Sequence, residues 1–317
     1  MLNRNRQPLA LKDCWLYAVA SKADLARRLS TDALPFTVAD LDMLSRDDRN
    51  FRLFDIEREG KKRGVQEPKP ILQHLHSRVH KLLSRVEVPT YLHSAVRGKS
   101  YLSNARAHRS DVPMIKIDVK KFFQSVPWVA VHRFFKDTLS CRSDVAGLMA
   151  DILTYDRHLP TGSSASPIMS YYAFKGMFDE IAALAARHGL TMTCYVDDIT
   201  ITGAGASKAL LFEIQHIIAQ HGLRSHKRRV FAASKAKVVT GVCNTKEGEQ
   251  LPNKLHLKIY LGFQDLANAK SQEEALRLAR PLLGRLEAAR QIDPIFGKRA
   301  RTLRASLRSR LDGKERV

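Results

Sequence analysis

Thr191-Met-Thr-Cys-Tyr-Val-Asp-Asp-Ile-Thr-Ile-Thr-Gly203 is the stretch that decides how this chain is read. Two short runs rich in β-branched residues flank an Asp197-Asp198 pair, and Gly203 closes the second run. Runs of this kind joined by a tight Asp-containing turn predict a β-hairpin with two carboxylates held at its tip. Adjacent carboxylates repel unless a cation lies between them. Mg²⁺ suits such a pair, because it takes hard oxygen ligands and leaves positions open for phosphate. Taken alone, Asp-Asp also reads as an ordinary polar turn, since Asp serves turns through local backbone hydrogen bonds. A third carboxylate and a nucleotide pocket elsewhere would decide between the two.

Working outward, Pro113-Met-Ile-Lys-Ile-Asp118 reads as a buried strand ending in an acid. Asp118 supplies the third carboxylate. With Asp197 and Asp198 it can bind two Mg²⁺ ions about 4 Å apart, one activating an attacking hydroxyl and one steadying the leaving oxygen. By itself Asp118 also fits a helix N-cap, and the following Phe122 and Phe123 fit a core. Leu159-Pro-Thr-Gly-Ser-Ser-Ala-Ser-Pro167 is rich in small residues and precedes an amphipathic helix predicted from Ile168 to about His188. Gly162 there lets a base pair approach the backbone closely, or the stretch is a plain pre-helix loop. Phe51-Arg-Leu-Phe-Asp-Ile56 and Gly64-Val-Gln-Glu67 predict a second hairpin whose tip and return carry Lys61, Lys62 and Arg63. Flexible cations on a ribbon suit a triphosphate or a template backbone, and equally a solvated turn.

Composition limits the function classes. The 317 residues carry a formal net charge of +21 with 44% hydrophobic residues, which describes a folded basic protein with a polyanionic partner. The excess is spread along the chain, with an arginine series after residue 277 that includes Arg304, Arg308 and Arg310 on predicted helix faces suited to an RNA backbone. No apolar run is long enough to span a bilayer, so nucleic acid is the better partner than a membrane. The first residues lack an apolar signal region, and Cys14, Cys141, Cys194 and Cys243 are too scattered for a zinc or disulfide framework. A reducing cytoplasm is the expected location.

Taken in order, these blocks resemble the reverse transcriptase family. Asp118 with Phe122-Phe123 is similar to the family's first catalytic motif. The 159–167 block resembles its Leu-Pro-Gln-Gly-x-x-x-Ser-Pro motif, and Tyr195-Val-Asp-Asp198 its Tyr-x-Asp-Asp box. Asn104-Ala-Arg-Ala-His108 and Val239-Thr-Gly241 match signatures of the bacterial retron enzymes, and the length is similar to that of a free-standing retron enzyme without a fused effector domain. Two positions depart from the pattern: Thr161 stands where glutamine is usual, and Val196 where many retron enzymes carry alanine.

The resemblance implies an α+β right-hand polymerase, with fingers, an antiparallel palm sheet backed by helices, and a helical thumb. The implied organisation is an amino-terminal helical extension over 1–45, fingers over 46–112 with part of 130–165, a palm over 113–250, and a thumb over 251–317. The implied activity is RNA-directed DNA polymerisation. Asp118, Asp197 and Asp198, with the carbonyl of Val119, would hold two Mg²⁺ ions. Phe123 would stack beneath the sugar and exclude a 2′-hydroxyl. Lys62 and Arg63 would contact the triphosphate, the choice among Lys61, Lys62 and Arg63 remaining open, with Thr161 and Gly162 beside the nucleotide. Lys227 would assist the leaving pyrophosphate. Asn104, His108, Val239, Thr240, Gly241, Arg304 and Arg308 would position RNA. A retron enzyme copies its own structured noncoding RNA from the 2′-hydroxyl of a guanosine, giving branched RNA–DNA, and pairs with an effector protein encoded nearby in anti-phage defence. Its partners would be that RNA, the RNA–DNA hybrid and dNTPs, with no membrane. The competing assignments are another bacterial reverse transcriptase (intron-like, diversity-generating or abortive-infection type), a non-catalytic RNA-binding scaffold, and a basic DNA-binding protein.

Overall fold

The computed structural model describes residues 7–46, 48–58 and 60–312. Residues 1–6, on which the reading of the amino terminus rests, and the side chain of Arg310 lie outside the described parts. The chain divides into two compact units, one comprising residues up to 107 together with 113–230, the other 108–112 together with residues from 231 onward.

The first unit is built on a four-stranded sheet in the order β4-β5-β3-β6. Its strands are β3 (Met114–Val119), β4 (Thr191–Tyr195), β5 (Asp198–Thr202) and β6 (Ser225–Phe231). Strand β5 pairs antiparallel with both β3 and β4, with Asp118 opposite Asp198 and Ile117 opposite Ile199. Alternation along the pleat sends Ile115, Ile117, Ile199 and Ile201 to one face, where all four are buried. They share one core with Ile181 of α8 (Lys175–Arg187) and Ile214 and Ile218 of α9 (Lys208–Gln220). Each such side chain contributes roughly 1.5–3 kcal/mol by leaving water. The same alternation leaves Lys116, Asp118, Asp198 and Thr200 on the opposite face. A one-residue slip of register would exchange these sets, so the apolar pattern fixes which face carries the acids.

Ahead of this sheet stand α1 (Lys22–Leu29), α2 (Val38–Arg46), the hairpin β1 (Phe51–Arg58) and β2 (Lys61–Pro68), α3 (Pro70–Leu83) and α4 (Tyr101–Arg106). Between β3 and β4 come α5 (Trp128–Arg133), α6 (Ser143–Leu153) and α7 (Ser166–Ala173). Helix α1 begins where Ser21 Oγ accepts from Asp24 N, which satisfies one of the free amides of its first turn. The second unit contains the small sheet β7 (Lys237–Val239), β8 (Val242–Thr245) and β9 (Gly248–Gln250), and helices α10 (Asn253–Ala267), α11 (Gln272–Ala289) and α12 (Ile295–Asp312). Its core gathers Ile259, Leu282, Leu286, Phe296, Ala300 and Leu303 from the three helices.

Local departures from the sequence reading have identifiable causes. The helix predicted from Ile168 to His188 is two helices, broken at Phe174 (φ −123°, ψ 24°), whose ring packs 6.0 Å from that of Phe122. The cations Lys61, Lys62 and Arg63 lie within β2 rather than in a turn, because the pairs Arg58↔Lys61 and Glu57↔Lys62 extend the ladder. The Val239-Thr-Gly241 signature sits at the turn of a hairpin formed by β7 and β8. The hairpin turns at Thr240 (φ 44°) and Gly241 (φ 87°), both in the left-handed region that tight two-residue hairpin turns require.

Candidate active site

The β4–β5 hairpin turns on Val196 and Asp197, so Asp198 is the first residue of β5 and not part of the tip. Val196 sits at φ 60°, a left-handed conformation that a β-branched side chain resists and that the surrounding structure must hold. Two contacts hold it. Val196 N donates to Ser94 Oγ (2.8 Å), and Asp197 O accepts from Val119 N (2.9 Å), which ties the turn to the end of β3. Ser94 lies at the end of an extended segment beside β4, where Cys194 N donates to Tyr91 O (2.7 Å) and His93 N to Cys194 O (2.9 Å).

These constraints bring Asp118, Asp197 and Asp198 together on the polar face of the sheet. Burial and the neighbouring Asp118 carboxylate push the Asp197 carboxyl up to about 7. Basic groups surround the other two acids. His226 Nε2 lies 2.6 Å from Asp118 Oδ1, Lys227 Nζ donates to Asp118 Oδ2 (2.8 Å), and Lys116 Nζ stands 3.0 Å from Asp198 Oδ2. The contact with Asp118 raises the Lys227 ammonium above its ordinary value. Lys227 adopts φ 49°, a second strained backbone position at this site. Asp198 Oδ1 is buried without a hydrogen-bond partner among the described residues.

The donor chemistry fits a divalent cation. Three carboxylates converge, one holds its proton unusually tightly, and a buried carboxylate oxygen lacks a partner; each feature is what a hard cation would relieve. Among the described residues no group of three or more His, Cys, Asp or Glu is placed as a ready metal site, and His226, Lys227 and Lys116 stand against oxygens of Asp118 and Asp198. His226 and Lys116 were not singled out from the sequence as site residues. Lys116 could have been found, since it lies two positions before Asp118 on the same strand face. His226 gave no signal of its own within a basic run.

The nucleotide-side residues are placed unevenly. Phe123 is half-buried, stacked on Phe122 at 6.5 Å in a single 3₁₀ turn after β3. Lys62 and Arg63 are exposed, and pleating puts Lys62 on the same face of β2 as Gln66, with Lys61 and Arg63 on the other. Thr161 is clasped to β2. Its hydroxyl donates to Gly64 O (3.2 Å) and accepts from Gln66 N (3.2 Å), and Gln66 Oε1 accepts from Thr161 N (3.2 Å). The close approach that Gly162 permits is likewise to β2. A Cβ there would lie 2.8 Å from Gln66 O and 2.9 Å from Glu67 Cα, so this glycine leaves room for β2, a reason its sequence did not suggest.

The RNA-side residues need a larger correction. Asn104, His108 and Val239 are 0%, 5% and 0% exposed, so their side chains offer no surface to RNA. His108 O accepts from Asn244 Nδ2 (3.2 Å), which fastens the 108–112 segment to β8 within the second unit. Lys237, also fully buried, adds bonds to Ser110 O, Ala233 O and Lys235 O. In the two signatures Asn104, His108 and Val239 are buried, while Arg106, Thr240 and Gly241 reach the surface. Arg304 pairs with Glu287 (2.7 Å), linking α12 to α11, and both Arg304 and Arg308 are exposed.

A family model described as reverse transcriptase (RNA-dependent DNA polymerase) matches residues 57–264. The chain is 29% identical over 228 residues to the retron Mx162 reverse transcriptase of Myxococcus xanthus, covering 62% of this chain and 47% of that one. It is 26% identical over 156 residues to the retron Se72 reverse transcriptase of Salmonella heidelberg, covering 48% and 41%. Against the retron Ec86 reverse transcriptase of Escherichia coli it is 23% identical over 256 residues, covering 78% of each. The chain thus spans about half the length of the first two relatives. The family match agrees with the expected α+β right-hand polymerase class, whose antiparallel acid-bearing sheet is the one described above. The chain belongs to the reverse transcriptase (RNA-dependent DNA polymerase) family, and its kinship within that family is with the bacterial retron enzymes.

Proposed function

We propose that this chain is an RNA-directed DNA polymerase of a retron, copying a structured noncoding RNA into branched single-stranded DNA. The observation that carries the catalytic part is the register that sets Asp118 opposite Asp198, with Asp197 in the adjoining strained turn. Asp118, Asp197 and Asp198, with the carbonyl of Val119, would hold two Mg²⁺ ions. Bound there, the ions would lower the pKa of the attacking hydroxyl and steady the leaving oxygen.

The chain's own part is positioning and charge. The primer hydroxyl attacks the α-phosphate of a dNTP in line, a P–O bond forms as the bond to pyrophosphate breaks, and the hydroxyl proton passes to solvent. Lys227 stands where an ammonium could meet the departing pyrophosphate. Phe123 would lie under the sugar, and Lys62 with Arg63 would meet the triphosphate from the fingers hairpin. Thr161 and Gly162 would act by fixing that hairpin to the palm. Thr240, Gly241, Arg304 and Arg308 are the accessible RNA-facing candidates, and the buried Asn104, His108 and Val239 would act only by shaping the chain around them.

The domain names follow the same reading: an amino-terminal helical extension over 1–45, fingers over 46–112 with part of 130–165, palm over 113–250 and thumb over 251–317. Priming from a guanosine 2′-hydroxyl, a nearby effector protein, a role in anti-phage defence and a cytoplasmic location are part of the proposal by kinship. Among the described residues no helix is long and apolar enough to cross a membrane.

The test is to express the protein with its flanking genomic DNA and analyse the copurifying nucleic acid. A short DNA whose mobility shifts after RNase and debranching enzyme, absent with Asp197→Asn, is the expected result. Unbranched cDNA would remove the retron assignment and keep the polymerase. RNA without DNA from either protein would replace both with an RNA-binding scaffold.

A further inference from the structure

A hollow of about 460 Å³ opens in the first unit beside residues 84–88 and 96–99, none of which has a place in the catalytic site described above. Its floor is aliphatic: Val86 is buried, and Val88 and Val96 are half-buried. Its rim carries Arg85, Arg97 and Lys99, against the single carboxylate of Glu87. Three cations facing one acid leave the rim positive. Among the described residues Arg85 and Arg97 form no ion pair and no side-chain hydrogen bond, and both are exposed. Lys99 is fixed in place by a bond from Nζ to Thr90 O (2.5 Å). The hollow is continuous with the catalytic turn along the chain. Tyr91 and His93 run beside Cys194, and Ser94 holds Val196, a few residues before Arg97.

We propose that this hollow is a binding site for a single-stranded segment of RNA, with phosphates on Arg85 and Arg97 and a base or ribose against the valine floor. The inference rests on the reading above that a structured RNA is the substrate. An apolar floor under a cationic rim matches the two faces of a nucleotide, a flat hydrophobic ring and an anionic backbone. The volume falls within the range of small-ligand pockets and suits one or two nucleotides. A duplex is too wide to enter it. Seated there, the strand would lie against the segment that supports the catalytic turn.

The test uses the full chain and two probes, a fluorescein-labelled single-stranded RNA of about 12 nucleotides and a duplex of equal length. The Arg85→Ala, Arg97→Ala double variant removes two exposed cations that have no place in the catalytic machinery. Its dissociation constant for the single strand is expected to rise about tenfold, and its salt slope to fall by about 1.4, at about 0.7 per phosphate for a single strand. Duplex binding and extension of a DNA primer on an RNA homopolymer are expected to stay near those of the unaltered protein. A 4-thiouridine-bearing strand is expected to crosslink the unaltered protein within residues 84–99. Unchanged affinity and salt slope, with crosslinks mapping elsewhere, would overturn the proposal. So would a poly-glutamate peptide binding in an Arg85- and Arg97-dependent way while RNA binding is unaffected. Loss of primer extension in the unaltered protein would count against the polymerase reading, while the crosslink map would still decide the hollow.

Discussion

The amide of Val196, at φ 60°, donates to Ser94 Oγ at 2.8 Å, so a serine about a hundred positions earlier in the chain holds the catalytic turn in its strained shape. Removing the acceptor leaves a partly buried N–H without a partner, at a cost of about 1–3 kcal/mol. Ser94→Ala is therefore expected to lower kcat for primer extension while leaving the KM for dNTP near its original value. Ser94→Thr, which keeps the hydroxyl, is expected to restore most of the rate. An unaltered kcat in the alanine variant would show that the turn keeps its shape without Ser94.

Asp197 sets a pH dependence whose sign follows from its raised pKa. Its ordinary value is 3.8 and its folded value about 7, so between these the folded protein binds a proton that the unfolded chain does not. Metal-free stability from this group is therefore present at low pH and is lost as pH rises from about 4 through about 7. A divalent ion competes with that proton, so the rise in Tm on adding Mg²⁺ is expected to grow from about pH 6 to about pH 8. Thermal unfolding with and without Mg²⁺ across this range checks it. A metal-induced shift that is flat with pH would contradict the role given to Asp197.

Gly162 is expected to tolerate no side chain. A Cβ would meet the backbone of β2 at under 3 Å, and backbone cannot rotate aside as the end of a flexible side chain can. Gly162→Ala should cost about 1–3 kcal/mol in stability by overpacking and raise the KM for dNTP by displacing the β1–β2 hairpin. Calorimetry and steady-state kinetics on the same preparation separate the two effects. An unchanged Tm would mean that the hairpin shifts freely.

His76 gives a second, opposite pH effect. It is fully buried, and burial pushes its imidazole down to about 4. Nε2 must donate to Ile152 O (2.8 Å), so Nδ1 accepts from the Ser163 hydroxyl (2.6 Å), which itself accepts from Ala165 N. The neutral ring thereby pins the 159–167 loop to α3 and α6. The unfolded chain takes up a proton near the ordinary value of 6.5, so this stability is lost as pH falls from about 6.5 toward about 4. His76→Gln is expected to lower Tm at neutral pH and flatten the acid limb of the stability profile. A profile identical to that of the unaltered protein would remove His76 from this role.

Much of the catalytic sheet was legible because its cues are local. Alternation in Ile115, Ile117, Ile199 and Ile201 fixed two strands and the face left to the acids, and Asp197-Asp198 marked the hairpin between them. What stayed hidden depends on contacts between distant positions. Nothing near Ser94 announces that it supports Val196, and nothing near Thr161 announces that its hydroxyl is taken by β2. The signatures around Asn104, His108 and Val239 pointed to a real feature, but burial cannot be read from a short motif. Their side chains turn inward, and the 108–112 segment is joined to β8 by Asn244 Nδ2 donating to the His108 carbonyl. The arginine series shows the same limit, since periodicity does not reveal that Arg304 pairs with Glu287, although Arg304 and Arg308 are both exposed.

The most direct test of the central claim is extension of a labelled DNA primer annealed to an RNA template, with dNTPs and Mg²⁺, by the unaltered protein and by Asp197→Asn. The account predicts full-length DNA from the first, and a rate lower by roughly a hundredfold or more from the second, with both proteins folded by thermal unfolding. Equal extension by the two proteins would contradict the assignment of the acids. No extension by the unaltered protein on any RNA template would contradict the polymerase itself.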